Sequence, residues 1–353
     1  MSELLSKLED SIENLKSKKS KIYFFVQDTK GNPKASIKYI YDLAFALKNN
    51  GYNSIILHEK PDYFGVQDWL GSSYMEITHI SVEGQNLQVS PDDVILVPEI
   101  FGYVMPQLTN LPCFKIVICQ SYDYIFETLQ PGQTWTQLGF NKCITTSDKM
   151  KEYISSVMKQ CSVDIIEPFI DKSFNRPKLP PKPTVAIHTR EQRDSINFIK
   201  SFYVRFPQYR WITFKDMRGL SQEQFANSLK DCMLSIWIDE TSSFGTFPLE
   251  SMKCGVPVIG KVPKLIPSWI NENNGIWLQD ILRIEDVVAD FIQNWMEDNV
   301  SDKLYEGCEE TSKRFDNEEN FIKTTVEFFE KIYTNRIEIF EKEINKLQIE
   351  TNI

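Results

Sequence analysis

Short apolar runs of strand length alternate with helix-patterned segments along this chain, and the alternation occurs twice, before and after the proline-rich stretch Asn175 to Lys182. Such alternation builds parallel sheets, because parallel neighbours cannot be joined by a tight turn and need a crossover, usually a helix. The first set of runs is Lys21 to Gln27, Asn53 to His58, Asp93 to Pro98, Phe114 to Gln120, Lys142 to Thr146 and Val163 to Ile166. The second is Thr184 to His188, Arg210 to Phe214, the run from Met233 to Ile238, and the strand that closes at Gly260. Between them lie a helix from about Lys34 to Asn49, closed by Gly51, and another from Asp148 to Gln160 with Ser147 as its N-cap. Ser221 and Gln224 have the spacing of a capping box that opens a third. Three prolines between 175 and 182 resist both helix and central strand, so that stretch reads as a stiff linker. The expected fold class is therefore α/β with two Rossmann-like domains, which suits 353 residues at roughly 150 per domain.

The domain reading that follows has an amphipathic helix over 1–20, a first domain over 21–174, the linker 175–182, a second domain over 183–317 and a helical extension over 318–353. In the first helix, Leu4, Leu5, Leu8, Ile12 and Leu15 recur at helical spacing among Lys and Glu. Packing on its own protein or a partner chain is the expectation; membrane-surface binding is the alternative, weakened by the shortness of the basic cluster Lys16 to Lys21. Residues 318–350 are rich in helix formers, with Phe321, Phe328, Phe329, Ile332, Ile339, Phe340 and Ile344 at mostly helical steps. An oligomer contact through the two terminal helices is the alternative for the far end.

A net charge of −10 argues against a general nucleic-acid or anionic-membrane surface. The seven cysteines are odd in number, sit mostly in apolar runs and include no C-x-x-C, so they read as reduced thiols. Three scattered histidines and no Asp-x-Asp leave no evident metal site. No run approaches the ~20 apolar residues of a membrane span, and the start lacks a signal-peptide core. A cytoplasmic protein with no cofactor and no metal is the expectation.

Function is most legible in Ser235 to Gly260, SIWIDETSSFGTFPLESMKCGVPVIG. An apolar strand runs into Ser242, Ser243, Phe244, Gly245 and Thr246, where small residues let backbone N–H groups approach a ligand closely. Pro248 suits the first turn of a helix and Gly255 suits a left-handed cap at its end. The N-terminus of that short helix faces the Ser/Gly loop, an arrangement that favours a diphosphate. Glu250, one turn in, is placed to accept from a sugar diol.

This stretch resembles the nucleotide-sugar site of GT-B glycosyltransferases, in particular the retaining family 4, whose pattern is E-x-F-G-x-x-x-L-E followed by G-x-P-V. Phe244, Gly245, Leu249, Glu250, Gly255, Pro257 and Val258 match in register, and Ser242 stands where the family has its first Glu. ITTSDKMKEY at 144–153 resembles the family's strand-Ser-helix element, and EPFIDKSF at 167–174 approximates the segment that leads out of its first domain. The resemblance implies two parallel-sheet domains facing across a cleft, a C-terminal helix crossing back to the first, and Glu250 on the donor ribose.

Further site residues are expected at strand ends, where open α/β sheets bind ligands. Gly31 and Asn32 lie in the loop after the first strand, which family members use beside the donor phosphate or the acceptor. Arg190 and Arg193 follow the second domain's first strand and suit phosphate oxygens, since a guanidinium offers two parallel hydrogen bonds. The family commonly has an Arg and a Lys there. Lys215 and Met217 lie in the loop that the family places near the nucleotide base, and Asp123 where it presents a His or Asp to the donor sugar. His58 is expected to satisfy a local backbone group, and Glu99 follows a strand as Asp123 does.

The leading function is a metal-independent transferase that moves a sugar from a nucleotide-diphosphate donor to a hydroxyl of a glycan or other acceptor, with Arg190, Arg193 and Asp123 in catalysis. Its partners are then the nucleotide sugar and the acceptor, with nucleic acid disfavoured. The runner-up is a non-catalytic protein of the same fold that binds nucleotide sugar or glycan, motivated by Ser242. A nucleotide-sugar epimerase or a DNA-modifying glucosyltransferase shares the fold and stands third.

Overall fold

A computed structural model gives the fold and describes residues 2–61, 63, 66–83 and 87–351. The chain forms two compact units, one of Met1–Thr145, Tyr153–Ile166 and Glu319–Ile353, the other of Thr146–Glu152 and Glu167–Glu318. The helices in chain order are α1 (Ser2–Lys16), α2 (Ala35–Asn49), the single turns α3 (Val66–Trp69) and α4 (Met105–Leu108), α5 (Asp148–Val157), α6 (Gln192–Arg205), α7 (Gln222–Lys230), α8 (Thr246–Lys253), α9 (Ile284–Met296), α10 (Asp302–Arg314) and α11 (Glu318–Thr351). Among the described residues no helix is long and apolar enough to cross a membrane.

The first unit holds a seven-stranded sheet of β1 (Lys21–Val26), β2 (Asn53–His58), β3 (Thr78–Ser81), β4 (Val94–Pro98), β5 (Phe114–Cys119), β6 (Lys142–Thr145) and β7 (Ser162–Ile165). Its order is β3-β2-β1-β4-β5-β6-β7, and every pairing is parallel. The strand order therefore reverses between β1 and β4, leaving a crevice at their C-terminal ends. Two adjacent carboxylates tie the opposite end. Asp92 accepts from the hydroxyls of Ser11 at 3.1 Å and Ser20 at 2.9 Å, and Asp93 from the backbone N–H groups of Lys21 and Ser90, both at 2.8 Å. Leu8 and Leu15 are buried, so the amphipathic α1 packs on its own unit.

Helix α11 returns to this unit. Phe321 packs edge-on to Tyr39 and Tyr333 to Tyr52, while Phe329 meets Phe24 of β1. The Arg336 guanidinium lies over the rings of Phe114 and Phe340 and donates to Pro91 O. Each fully buried aromatic of this kind contributes ~1.5–3 kcal/mol through apolar area alone.

The second unit holds β8 (Lys182–Thr189), β9 (Thr213–Asp216), β10 (Cys232–Ile238), β11 (Val258–Lys261) and β12 (Ile276–Leu278), all parallel, in the order β12-β11-β10-β8-β9. Side chains of a strand alternate between faces, and both faces here are apolar, as in a sheet covered on both sides. Val185, Ile187, Leu234, Ile236 and Ile259 pack with Phe198, Phe202, Val288 and Ile292 of α6 and α9. Ala186, Trp237 and Val258 pack with Leu229, Leu249, Met252 and Cys308 of α7, α8 and α10. Doubly wound architecture follows from that parity.

Four local features differ from expectation. The stretch 167–174 belongs to the second unit, because Ile170 and Phe174 enter its core and Ile170 N–H donates to Phe315 O at 2.8 Å. The proline-rich segment thus lies within that unit's span, and its last residue, Lys182, opens β8. The strand expected over Arg210 to Phe214 begins only at Thr213, since Tyr209 and Ile212 turn into the core ahead of it. Edge strand β3 was unforeseen, being short and only half-buried. With it His79 comes beside His58, their ring nitrogens 2.9 Å apart, so His58 pairs with a histidine and not with a backbone group. Burial pushes the His58 imidazole down to about 3, with His79 adding to the shift.

Gly307 of α10 faces the backbone of Asn273, and a Cβ there would lie 2.1 Å from the Asn273 carbonyl oxygen. Gly307→Ala must therefore push the helix off the loop. A loss of about 1–3 kcal/mol, typical of overpacking, is expected in denaturant unfolding. Unchanged stability would show that α10 is free to shift.

Candidate functional site

The strand order of the second sheet reverses between β8 and β10, and their pairing runs to Thr189 opposite Ile238. The loops leaving these two strands therefore start side by side, and Arg190 N–H donates to Ile238 O at 3.2 Å. After β10 the chain makes a tight turn and enters α8 through Gly245, whose φ of 80° and ψ of 56° lie in the left-handed region. A Cβ at Gly245 would meet the Trp269 ring at 2.7 Å and Trp237 at 3.2 Å, so glycine is required by space as well as by conformation.

The turn is held from several sides. Gly245 N–H donates to Ser242 Oγ at 3.2 Å, and Trp269 Nε1 donates to Phe244 O at 2.7 Å. Phe244 packs edge-on to Phe315. The first intrahelical bond of α8 runs from Leu249 N–H to Gly245 O at 3.4 Å, so the N–H groups of Thr246 and Phe247 precede it. Ser243 is buried, and its hydroxyl has no hydrogen-bond partner within the protein. An orphaned hydroxyl in the turn just before the first N–H groups of a helix is an acceptor-seeking environment, suited to an anion. Gly255, at φ 76°, closes the helix in the left-handed conformation expected of it. Glu250 lies half-buried on α8.

Arg190 is brought to this turn. It donates to Thr241 Oγ1 at 2.5 Å and lies 4.0 Å from the Asp239 carboxylate, while Asp239 itself accepts from Thr241 N–H and Oγ1. Arg193 stands exposed in the first turn of α6. Lys215 turns away, its ammonium donating to Ser228 Oγ on α7 at 2.6 Å. Met217 is buried within the core beside Phe247 and Ala186. Glu240, the carboxylate upstream of Ser242, forms an ion pair with Lys261 of β11.

Arg190's loop is held by a network whose role no local sequence pattern announces. Arg218 Nε reaches both Asp216 oxygens at 3.1 and 3.2 Å, and its Nη2 donates to Thr189 Oγ1 at 3.0 Å and Ser195 Oγ at 2.7 Å. Thr189 Oγ1 also donates to Glu191 O or meets Ser195 Oγ, each at 2.7 Å. Arg218 is thereby a staple across the ends of β8 and β9. A Thr and a Ser six residues apart carry no pattern that announces such a role.

The first unit has its own cluster at the β1/β4 reversal. Gly31 (φ 78°) and Lys30 (φ 50°) make a tight turn, closed by Lys30 N–H to Asp28 Oδ1 at 2.8 Å and by the Asn32 N–H and side-chain amide to Thr29 O, both at 3.0 Å. Asn32 is thus committed to shaping the turn. Asp123 is exposed in the 3-10 turn Tyr122–Tyr124 after β5, and Glu99 is buried at the end of β4.

No protein-family profile matches the chain. Among curated proteins, the Alpha-1,6-glucosyltransferase of Actinobacillus pleuropneumoniae serotype 7 (strain AP76) is 21% identical over 186 residues, 51% of this chain and 56% of that protein. The chain therefore matches little more than half of that relative's length. Among solved structures, the sucrose-phosphate synthase (tll1590) from Thermosynechococcus elongatus superposes with a TM-score of 0.65 at 16% identity, covering 90% of this chain and 100% of that one. Anabaena Alr3699/HepE, solved in complex with UDP-glucose, gives 0.61 at 12% identity over 89% and 99% of the two chains. A glycosyltransferase from Rickettsia africae ESF-5 gives 0.57 at 13% identity over 90% and 99%. With two doubly wound parallel sheets and a C-terminal helix that returns to the first unit, the chain has the GT-B fold.

Proposed function

We propose that this protein is a glycosyltransferase that takes a sugar from a nucleotide-diphosphate donor and passes it to a hydroxyl of a glycan or other acceptor. The observation that carries the reading is the turn Ser242–Gly245, with its buried unpartnered Ser243 hydroxyl and the N-terminus of α8, set beside the loop of Arg190 at the strand reversal. As the bond between the sugar's anomeric carbon and the diphosphate oxygen breaks, negative charge gathers on the leaving group. Helix-end N–H groups and a guanidinium stabilise that charge without any metal, and they are worth most in a site that excludes water. Glu250 accepts from the ribose hydroxyls, and Gly245 lets the backbone approach the phosphates. The match of 244–258 to the family 4 pattern supports retention of configuration, by front-side displacement assisted by the departing phosphate. In the first unit, the loop of Gly31 and Asn32 serves the donor phosphate or the acceptor, and the exposed Asp123 the acceptor side. Seven buried free thiols support a reducing compartment such as the cytoplasm.

UDP-glucose is the first donor to test, since one curated relative is named a glucosyltransferase and one solved structure of like fold holds that molecule. Thermal unfolding with UDP-, GDP- and ADP-sugars at about 100 times the dissociation constant should show ~2.7 kcal/mol of added stability for one base. The shift should vanish in Glu250→Ala and Arg190→Ala. No shift with any donor would remove the proposal.

Gly245→Ala should cost about 1–3 kcal/mol of stability, through strain and contact with Trp269, and abolish the same donor response. Retained donor binding in a folded Gly245→Ala protein would move the phosphate site elsewhere.

A second reading, binding without transfer, is favoured by Ser242, whose hydroxyl is engaged in the turn where the family pattern has a carboxylate. Under that reading wild type releases no free nucleotide from a bound donor with any acceptor tried, and Ser242→Glu gains turnover. Measurable wild-type release of UDP from UDP-glucose sinks it.

A further inference from the structure

Glu99 is only 4% exposed, at the C-terminal end of β4 where the first sheet's strand order reverses. One carboxylate oxygen, Oε1, accepts from two successive backbone N–H groups, Gln120 at 2.9 Å and Ser121 at 2.7 Å, the first two residues after β5. Gln120 in turn donates its side-chain amide to Ser36 O, in the first turn of α2, at 2.9 Å. No lysine or arginine neutralises the Glu99 carboxylate among the described residues. A single buried oxygen thus ties the end of β4 to the start of the loop after β5, and Gln120 ties that loop to α2. Asp123 follows two residues beyond Ser121, exposed in the same loop.

We propose that Glu99 is a positioning residue: its carboxylate holds residues 120–124, and with them Asp123, in a single arrangement, and protonation of Glu99 releases them. The inference rests on the reading of Asp123 as an acceptor-side group. Its physical basis is the difference between two charge-assisted bonds to a carboxylate and two bonds to a neutral carboxyl, which are about half as strong. Protonation also creates an O–H donor that needs a partner in a buried place.

Neutral pH is where this matters. Burial pushes the Glu99 carboxyl up to about 7, against the pull of the Gln120 and Ser121 N–H bonds. Titratable neighbours that feel its charge are Cys119 on β5 and Cys143 on β6, and burial raises both thiols so far that they stay neutral throughout this range. The sign for stability follows. A carboxyl raised above its ordinary 4.5 leaves the folded chain holding a proton that the unfolded chain has released. That contribution is full below the unfolded value and is lost as pH rises toward the folded one. The loop tightens over the same range in which global stability declines, and a purely structural anchor would not produce that opposition.

The test is hydrogen exchange of the full chain, read by mass spectrometry on peptides covering 120–124 and corrected for intrinsic exchange rates. Between pH 6 and pH 8 wild-type protection of this loop should rise roughly five-fold, the difference between a charged and a neutral hydrogen bond. In Glu99→Gln, which keeps a carbonyl acceptor but cannot titrate, protection should be the same at both values. Loop protection in wild type that does not change with pH, or the same change in Glu99→Gln, overturns the proposal. Should Glu99→Gln not fold, the wild-type profile decides alone: a midpoint near 7 in this loop, absent from peptides of the second unit, supports it, and its absence refutes it. No sugar is needed, so the outcome is separate from that of the donor-binding experiments.

Discussion

Parallel pairing between β8 and β10 is the constraint on which the candidate site depends. Their register sets Thr189 opposite Ile238, so two loops that are about fifty residues apart in the chain leave the sheet at one edge and in one direction. Every neighbouring strand is also parallel, which forces α6, α7 and α8 to act as crossovers and to cover the two faces. The N-terminus of α8 then follows a strand's C-terminal end by topology. An anion site at that place needs only a turn tight enough to leave the first N–H groups unpaired.

Tryptophan packing makes the turn that tight. Trp237 and Trp269 close on Gly245 from the sheet and from the loop after β11, and Trp269 also fixes the Phe244 carbonyl. Trp277 packs edge-on to both. Rigid aromatics of this size lose little conformational entropy on ordering, so they hold a small-residue turn at low cost while burying a large area. The polar groups around it divide into two sets. Arg218, Asp216, Thr189 and Ser195 satisfy one another and stiffen the loop of Arg190, whereas the hydroxyl of Ser243 finds no partner in the protein. Buried polar groups in folded proteins are nearly always bonded, and an exception beside a helix end is where a ligand is to be sought.

The first unit uses the same topology for a different purpose. At its strand reversal the turn of Gly31 is closed by its own side chains, and the buried carboxylate of Glu99 gathers backbone N–H groups from the neighbouring loop. A carboxylate isolated from water and from cations is costly, and its charge is spread here into peptide dipoles and not into an ion pair. Such a group serves shape while it is ionised.

The sequence by itself determined the alternation of strands and helices, the two sheets, the cap at Gly255, the capping box at Ser221 and the turn that leads into α8, because each of these is a local matter of apolar period, backbone freedom or hydrogen bonds a few residues apart. It also carried the pattern from Phe244 to Val258 that resembles a donor site. Tertiary structure alone decided which charged residues are committed elsewhere. Lys215 is committed to Ser228, Glu240 to Lys261, and Arg218 to a network of three short side chains drawn from β9, β8 and α6. Nor does any local signal reveal that Ile170 and Phe174 belong to the second core, that His58 meets His79, or that Glu99 faces the amides after β5. These pairings join residues on different elements, and long-range partners are selected by how the sheets order their strands, which no short window of sequence encodes.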